Sequence, residues 1–457
     1  MIKVTMIADG GWPTGFEQVA RGIGSALVAT GDFEVVHRAI GYDGEKLLVP
    51  EYPYKILPVG SVEDPLGLET IADTIAEDAP DVLLIIQDIW NQSMYLSRLP
   101  DSLPTVGYYP VDAPNIKWDY AMAICTLTEA VTYTEFGATQ SALAVRHLTD
   151  IVVGSHERAG QDVDAPVMGV TLPRPGGHLY LKSHKMRALQ EPSNYTVIPH
   201  GVTAERMYPM DKKEARKAYG LPEDAFIVMN VGTNQFRKRL DLTVRAFADF
   251  AKDKEDAVLV IHCMGGDRGE GWDIPQLGQL YGIQDKLVGI HWARPFLTDD
   301  QLRVLYNCAD VHINTSGGEG WGLTTVESAL CGVAQLVPDW SATREIWGNH
   351  GMLLPVSDYR FEPRGLNTAH AIVDAKQAAN RLDYLYHNKE ALSGLAVNCL
   401  ERALELPSWQ EVGDRFAEVL KRAVAVHKEP VPTSFSEVRR GAETALTSEL
   451  LTFPLRN

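Results

Sequence analysis

Two carboxylates and a cluster of cations carry the strongest chemical signal in this chain. Residues 309–332 read ADVHINTSGGEGWGLTTVESALCG, with Glu319 in a loop of four glycines around Trp321 and Glu327 eight positions later. A loop this rich in glycine lets the backbone pass close to a ligand. The strand, loop and helix order puts that ligand at the carboxyl end of a strand, where open α/β sheets bind. The two glutamates would then meet different parts of a long polar molecule. The plainer alternative is that Glu319 offsets the helix dipole and Glu327 forms a surface ion pair. Upstream, NVGTNQFRKRLDLTVRAF at 230–247 places Arg237, Lys238 and Arg239 at a helix start, where three cations oppose the dipole unless an anion or carboxylate offsets them. A solvated surface patch is the alternative there. A diphosphate suits the cations, and a carboxylate accepts paired hydrogen bonds from a ribose or hexose diol. Together the two segments describe a ligand with the composition of a nucleotide sugar.

A second glycine-rich turn, ADGGWPTGFEQVA, sets Gly10, Gly11 and Gly15 between a first strand and a first helix, where backbone amides approach a phosphate. It departs from G-x-G-x-x-G, and Glu34 lies inside the second strand rather than at its end, so no dinucleotide fingerprint is formed. A purely structural turn is the alternative. Asp112, before Ala-Pro, is either a polar group of the site or a turn cap. His200, between proline and glycine, steers the backbone or meets the donor; His262, closing a strand, faces a cleft or is a satisfied core imidazole. Asp162-Val163-Asp164 has the form of a divalent-ion triplet but lies in an irregular stretch, and no metal site is expected. Trp12, Trp90, Tyr108, Tyr109, Trp118 and Tyr120 would line a sugar-stacking face or fill cores.

These groups need a scaffold. The 457 residues exceed the size at which one core stops growing, and 45% hydrophobic content is ample for two. Short apolar runs predict strands at 3–8, 33–37, 81–86, 105–109, 130–134 and 151–154, and again at 226–231, 257–262, 287–290, 311–314 and 333–337. Between them, helical spacing of Val19, Ile23, Ala26 and Leu27, and of Leu240, Val244 and Phe247, predicts crossover helices over parallel sheets. Thr298 followed by Gln301 predicts a capping box. The reading is an α/β protein with an amino-terminal domain at 1–198, carrying an irregular insertion at 156–194 that includes PRPGGH at 173–178. A donor domain follows at 199–408 with its hinge near 199–205. An amphipathic helix at 409–425 and a linker and tail at 426–457 complete the chain.

A formal charge of 42 − 60 = −18 gives no support to a nucleic-acid partner held through its phosphates. Cys125, Cys263, Cys308, Cys331 and Cys399 are scattered, which fits a reducing compartment. MIKVTMIADGG lacks the head and apolar run of a secretory signal, and no apolar run approaches the roughly 20 residues of a membrane span, so a cytoplasmic location is expected.

The segments EGWGLTTVE, VIPHGV at 197–202, NVG…RK at 230–238 and GGEGWGLTTVESALCGVAQLVPDWSATREIWG at 317–348 resemble the retaining glycosyltransferases of family 4. The resemblance implies the GT-B fold, two Rossmann-like α/β domains facing each other across a cleft. It also implies transfer of a sugar from a nucleoside diphosphate sugar to a hydroxyl of a glycan, lipid or other acceptor, with retained configuration and neither metal nor other cofactor. Glu319 would contact the transferred sugar and act with Lys238, Arg237 and Asp112 in catalysis, and Glu327 would hold the ribose. Gly318, Gly320, Trp321, Gly322 and Leu323 would complete the donor site, with Gly10, Gly11 and Gly15 approaching the diphosphate from the other domain. The chain departs from the family at Thr233, where an arginine is usual: either Arg237 substitutes for it or one phosphate contact is missing. A second departure is TVGYYPVDAP, which lacks the mid-domain histidine and leaves Asp112 nearest. A sugar-nucleotide epimerase or phosphorylase on the same plan, and a noncatalytic sugar-nucleotide or glycan-binding module, are the rival readings.

Overall fold

A computed structural model describes residues 1–45, 47–49, 52–100, 102–159, 170–171, 178–179, 188–264, 271–290, 296–362 and 367–427. Asp162, Asp164, the 173–177 part of PRPGGH and the tail beyond 427 lie outside the described residues.

The first half alternates β1 (Ile2–Asp9), α1 (Gly15–Ala29), β2 (Phe33–Ile40), β3 (Lys55–Pro58), α2 (Ile71–Asp78), β4 (Val82–Ile86), α3 (Ile89–Leu96), β5 (Thr105–Tyr109), α4 (Trp118–Thr126), β6 (Glu129–Thr132) and α5 (Glu135–Ala159). A two-stranded pair, β7 (Val170–Thr171) and β8 (His178–Leu179), and then β9 (Thr196–Val197) follow. Seven strands form one sheet in the order β3-β2-β1-β4-β5-β6-β9, every pairing parallel. β4 and β5 are buried along their whole length, as strands covered by helices on both faces must be.

The second half repeats the plan with α6 (Lys212–Tyr219), β10 (Phe226–Thr233), α7 (Leu240–Phe250), β11 (Ala257–Met264), α8 (Ile274–Leu280), β12 (Leu287–Gly289), α9 (Asp299–Asn307), β13 (Val311–Ile313), α10 (Leu323–Leu330), β14 (Ala334–Pro338), α11 (Ser341–Trp347) and β15 (Met352–Leu354). Its sheet runs β12-β11-β10-β13-β14-β15, again parallel. The antiparallel hairpin β16 (Val356–Phe361) and β17 (Ala369–Val373) stands outside both large sheets, before α12 (Ala375–His387), α13 (Lys389–Leu404) and α14 (Trp409–His427). Two Rossmann-like domains therefore face each other across a cleft, in the GT-B arrangement. In each sheet the strand order reverses beside its first strand, at β1/β4 and β10/β13, where such sheets open a crevice for ligands.

The capping box at Thr298 and Gln301 is present at the start of α9. The run at 151–154, expected as a strand, is instead the end of α5. Ala138, Ala142, Val145 and Leu148 bury a stripe at helical spacing, and no glycine or proline intervenes to stop the helix before it reaches that run. Residues 156–159, expected in the irregular insertion, belong to the same helix.

The chain crosses between the halves twice, side by side. Val202 donates to the Pro407 carbonyl at 2.9 Å and forms a bridge with Ser408. α14 then packs on α1, burying Val412, Phe416, Val419, Leu420 and Ala423. The helices meet so closely that a methyl group on Gly413 would collide with Ala26, and one on Gly22 with the Trp409 ring. Lys421–Asp32 and Arg422–Glu129 ion pairs, at 2.9 and 2.8 Å, fasten its far end to the amino-terminal domain.

Candidate functional site

The strand ends of both sheets open into one cleft of about 2390 Å³, several times the volume a drug-sized ligand needs. Glu319 lies in its wall, on the loop between β13 and α10, and is 4% exposed. Lys238 Nζ lies 2.7 Å from one carboxylate oxygen and 2.8 Å from the other; Arg237 approaches the second at 3.0 Å and Asn314 Nδ2 the first at 3.2 Å. Burial would raise this carboxyl, but the Lys238 and Arg237 charges outweigh it and hold Glu319 at about 2. The loop is fixed from behind by Ser341, whose hydroxyl accepts from the Glu319 amide and donates to its carbonyl.

Arg237 spans the domains. Its Nε lies 3.1 Å from Asp112 Oδ2 of the amino-terminal half, while its other arm holds Glu319 and the Gly318 carbonyl. The glycine loop itself abuts that half: a side chain at Gly318 would collide with the Asp112 carbonyl, and one at Gly320 with Pro110. Gly322, at φ 98°, turns the chain into α10 in a conformation only glycine adopts readily. Arg239 takes a different path, at φ 49° as the cap of α7, and pairs with Asp241 rather than lining the cleft.

Glu327 is buried, not a surface partner. It accepts from Gln18 Nε2 of α1 at 2.9 Å and from the Tyr306 hydroxyl at 2.8 Å, and its burial pushes the carboxyl up to about 7 against those two hydrogen bonds. Trp321, Gly322 and Leu323 line the cleft between the two glutamates, with Gly232, Thr233, His200 and His262 also in its lining.

The amino-terminal glycine turn divides. Gly15 lines the cleft opposite Leu323, whereas Gly10 and Gly11 do not. The Gly10 amide is bonded to the Ile40 carbonyl and the Gly11 amide to the Tyr52 hydroxyl, at 3.1 Å each. The aromatic residues divide too. Trp90 and Tyr120 line the cleft, Tyr108 and Tyr109 are core, and Trp12 and Trp118 are surface residues outside its lining.

Three lining features were not read from the sequence. Asp88, between β4 and α3, caps α3 with its backbone carbonyl but not with its side chain; burial raises its carboxyl well above the usual range, and Asp112 and Asp9 add to the effect. Tyr133 follows β6 on the same floor. The hairpin β16–β17 reaches from one domain to the other, with the Ala369 amide on the Pro114 carbonyl at 3.0 Å and the Ala371 amide on Gly317 at 2.8 Å, and it brings Arg360, Glu362, Thr368 and His370 to the cleft. Among the described residues, no group of three His, Cys, Asp or Glu side chains is placed to hold a metal ion, and no helix is long and apolar enough to cross a membrane.

Residues 211–396 match the family described as glycosyl transferases group 1. A D-inositol 3-phosphate glycosyltransferase of Thermobispora bispora is 26% identical over 240 residues, 52% of this chain and 53% of that one. Another, of Catenulispora acidiphila, is 33% identical over 150 residues, 31% and 34% of the two chains. This chain thus spans about half, or less, of the length of these curated relatives. Among solved structures, Anabaena HepE in complex with UDP-glucose superposes with a TM-score of 0.63 at 14% identity, over 92% of this chain and 100% of that one. A sucrose-phosphate synthase of Thermosynechococcus elongatus gives 0.63 at 15%, over 93% and 100%.

Proposed function

We propose that this protein is a glycosyltransferase that moves a sugar from a nucleoside diphosphate sugar to an acceptor hydroxyl with retention of configuration. The observation that carries the reading is the convergence of Lys238 and Arg237 on Glu319 in the wall of a cleft between two Rossmann-like domains. Two cations beside a buried carboxylate suit the diphosphate and the sugar of one donor, and Glu327 suits the ribose at its other end. The relatives named as D-inositol 3-phosphate glycosyltransferases and the neighbour bound to UDP-glucose make a UDP-sugar the first donor to try.

Both oxygens of Glu319 are held by cations, which makes it a poor nucleophile and a good anchor for sugar hydroxyls. The transfer then runs on one face of the sugar. The bond from C1 to the diphosphate oxygen breaks, the acceptor oxygen bonds C1, and the acceptor proton passes to the departing phosphate. Lys238 and Arg237 stabilise the charge that gathers there, with no metal ion called for. The test is release of UDP from a panel of UDP-sugars with and without hydroxylated acceptors, in the presence of a chelator, with the anomeric configuration of the product read by NMR. Binding without acceptor-dependent release would support a sugar-nucleotide-binding module instead, and an inverted product would remove the retaining mechanism.

A further inference from the structure

The cleft floor, where the two halves meet, holds polar groups that the proposed transfer leaves unused. Tyr133, His200 in the crossover and Trp321 in the glycine loop all line the cleft, and they are 4%, 2% and 5% exposed. Their rings are neighbours, with centroids 4.2 Å apart for Tyr133 and His200 and 5.3 Å for His200 and Trp321. The Tyr133 hydroxyl and the Trp321 Nε1 are buried with no hydrogen-bond partner. Buried polar groups are almost always paired, so two orphans on one cavity floor point to a ligand that satisfies them.

The protonation of His200 follows from its neighbour. The Tyr108 hydroxyl donates its one proton to the Ile198 carbonyl at 2.7 Å, so toward His200 Nδ1, 2.8 Å away, its oxygen accepts. The proton of the imidazole is therefore on Nδ1. Burial pushes the ring down to about 3 and keeps it neutral, leaving Nε2 as a bare acceptor. The floor then offers donors from Trp321 and Tyr133 and an acceptor from His200. A hydroxyl, which both gives and takes a hydrogen bond, is complementary to this set. A phosphate or carboxylate has no proton for Nε2 and would come beside the carboxyl groups of Asp9, Asp88 and Asp112, all of which act on Tyr133.

We propose that Tyr133, His200 and Trp321 form a subsite that reads the hydroxyls of an uncharged sugar or polyol ring. The inference rests on the cleft being the substrate site of the preceding section, and the ring belongs either to the donor sugar or to the acceptor. Tyr133→Phe deletes one polar atom and keeps the ring packing, whereas Trp321→Phe removes the indole N–H together with one of its two fused rings, so the Tyr133 variant carries the hydrogen-bond test. Saturation-transfer NMR on the full chain would compare glucose and myo-inositol with glucose 6-phosphate and an inositol phosphate. Parallel titrations would compare UDP with UDP-glucose. The neutral rings should bind in preference to the phosphorylated ones, and the Tyr133 variant should weaken that binding about five- to tenfold, the scale of one lost hydrogen bond, the Trp321 variant by at least as much. An effect on UDP-glucose but not UDP assigns the donor sugar; an effect on free polyols with UDP bound assigns the acceptor. Unchanged binding in the folded Tyr133 variant, no binding of any neutral ring, or equal binding of the phosphorylated rings overturns the subsite. Failure of the transferase reading looks different: polyol binding would persist, sensitive to both variants, while no acceptor-dependent UDP release occurred.

Discussion

Lys238 shows how one side chain carries both stability and chemistry. An exposed lysine can usually be replaced at a cost below about 0.5 kcal/mol, but Lys238 is paired to a carboxylate that is 5% exposed. Lys238→Ala leaves Glu319 buried with Arg237 and Asn314 alone, so the substitution should cost about 1–3 kcal/mol in thermal unfolding. Turnover should fall further, by about 10²–10³-fold, because a charge stabilising the leaving group is gone. Normal donor kinetics in this variant would remove Lys238 from the diphosphate site. Glu327 has a pH signature of its own. Its folded value of about 7 stands above the ordinary 4.5, so the folded protein binds the extra proton between those values. The stability it contributes is full below about pH 4.5 and is lost as pH rises through 7. Glu319, held at about 2, has the opposite sign: its contribution is present above 4.5 and is lost as pH falls toward 2. Glu327→Gln should flatten the fall in melting temperature between about pH 5 and 8 relative to the parent. An identical profile in both proteins would assign that fall to another group.

Among the elements, α1 and α14 depend on each other more than on either sheet edge. Gly413 lies against Ala26 with no room for a methyl group, so Gly413→Ala should part the helices and cost about 1–3 kcal/mol in thermal unfolding, whereas Gly394→Ala, unhindered inside α13, should gain about 0.5–1 kcal/mol of helix propensity. A melting temperature equal to the parent's would show that the helix pair can move apart freely. The helix itself was legible from the spacing of Val412, Phe416, Val419 and Leu420, since a stripe that wide must be buried. Both glutamates and Lys238 were legible because glycine density and helix position are local properties of the chain. Asp88 and Tyr133 were not. Each is a single residue after an unremarkable strand, and its meaning comes from the order β1-β4-β5-β6, which places those strand ends side by side. The 151–154 run failed for a related reason: a short apolar stretch reads the same in a strand and at the end of a long helix, and only its continuity with Ala138 to Leu148 separates the two.

Across the whole molecule, the halves are held together by contacts that a donor would share or replace. Gln18 occupies one oxygen of Glu327, Arg237 binds Asp112, and Pro114 accepts from the hairpin, all of them lining or bordering the cleft. A further contact lies outside it. Glu345 of α11 reaches across to the start of α5, accepting from the Glu135 and Phe136 amides at 2.9 and 2.8 Å, so a carboxylate of one domain caps a helix of the other. Exposed and outside the cleft lining, this cap should favour a closed arrangement of the two domains over an open one without touching substrate. Glu345→Ala removes about 1 kcal/mol of capping, which shifts a two-state domain equilibrium about fivefold toward the open form. Small-angle scattering should then show a larger radius of gyration for the free variant than for the parent. Saturating UDP-glucose should bring both to the same compact value, because the ligand's preference for the closed form exceeds the lost cap. Donor affinity should weaken by no more than that factor, in proportion to the closed fraction lost, while the maximal rate at saturation stays unchanged. If the radius does not grow and affinity is unaltered, Glu345 caps α5 without governing closure, and the bias resides in the cleft contacts of Gln18, Arg237 and Pro114.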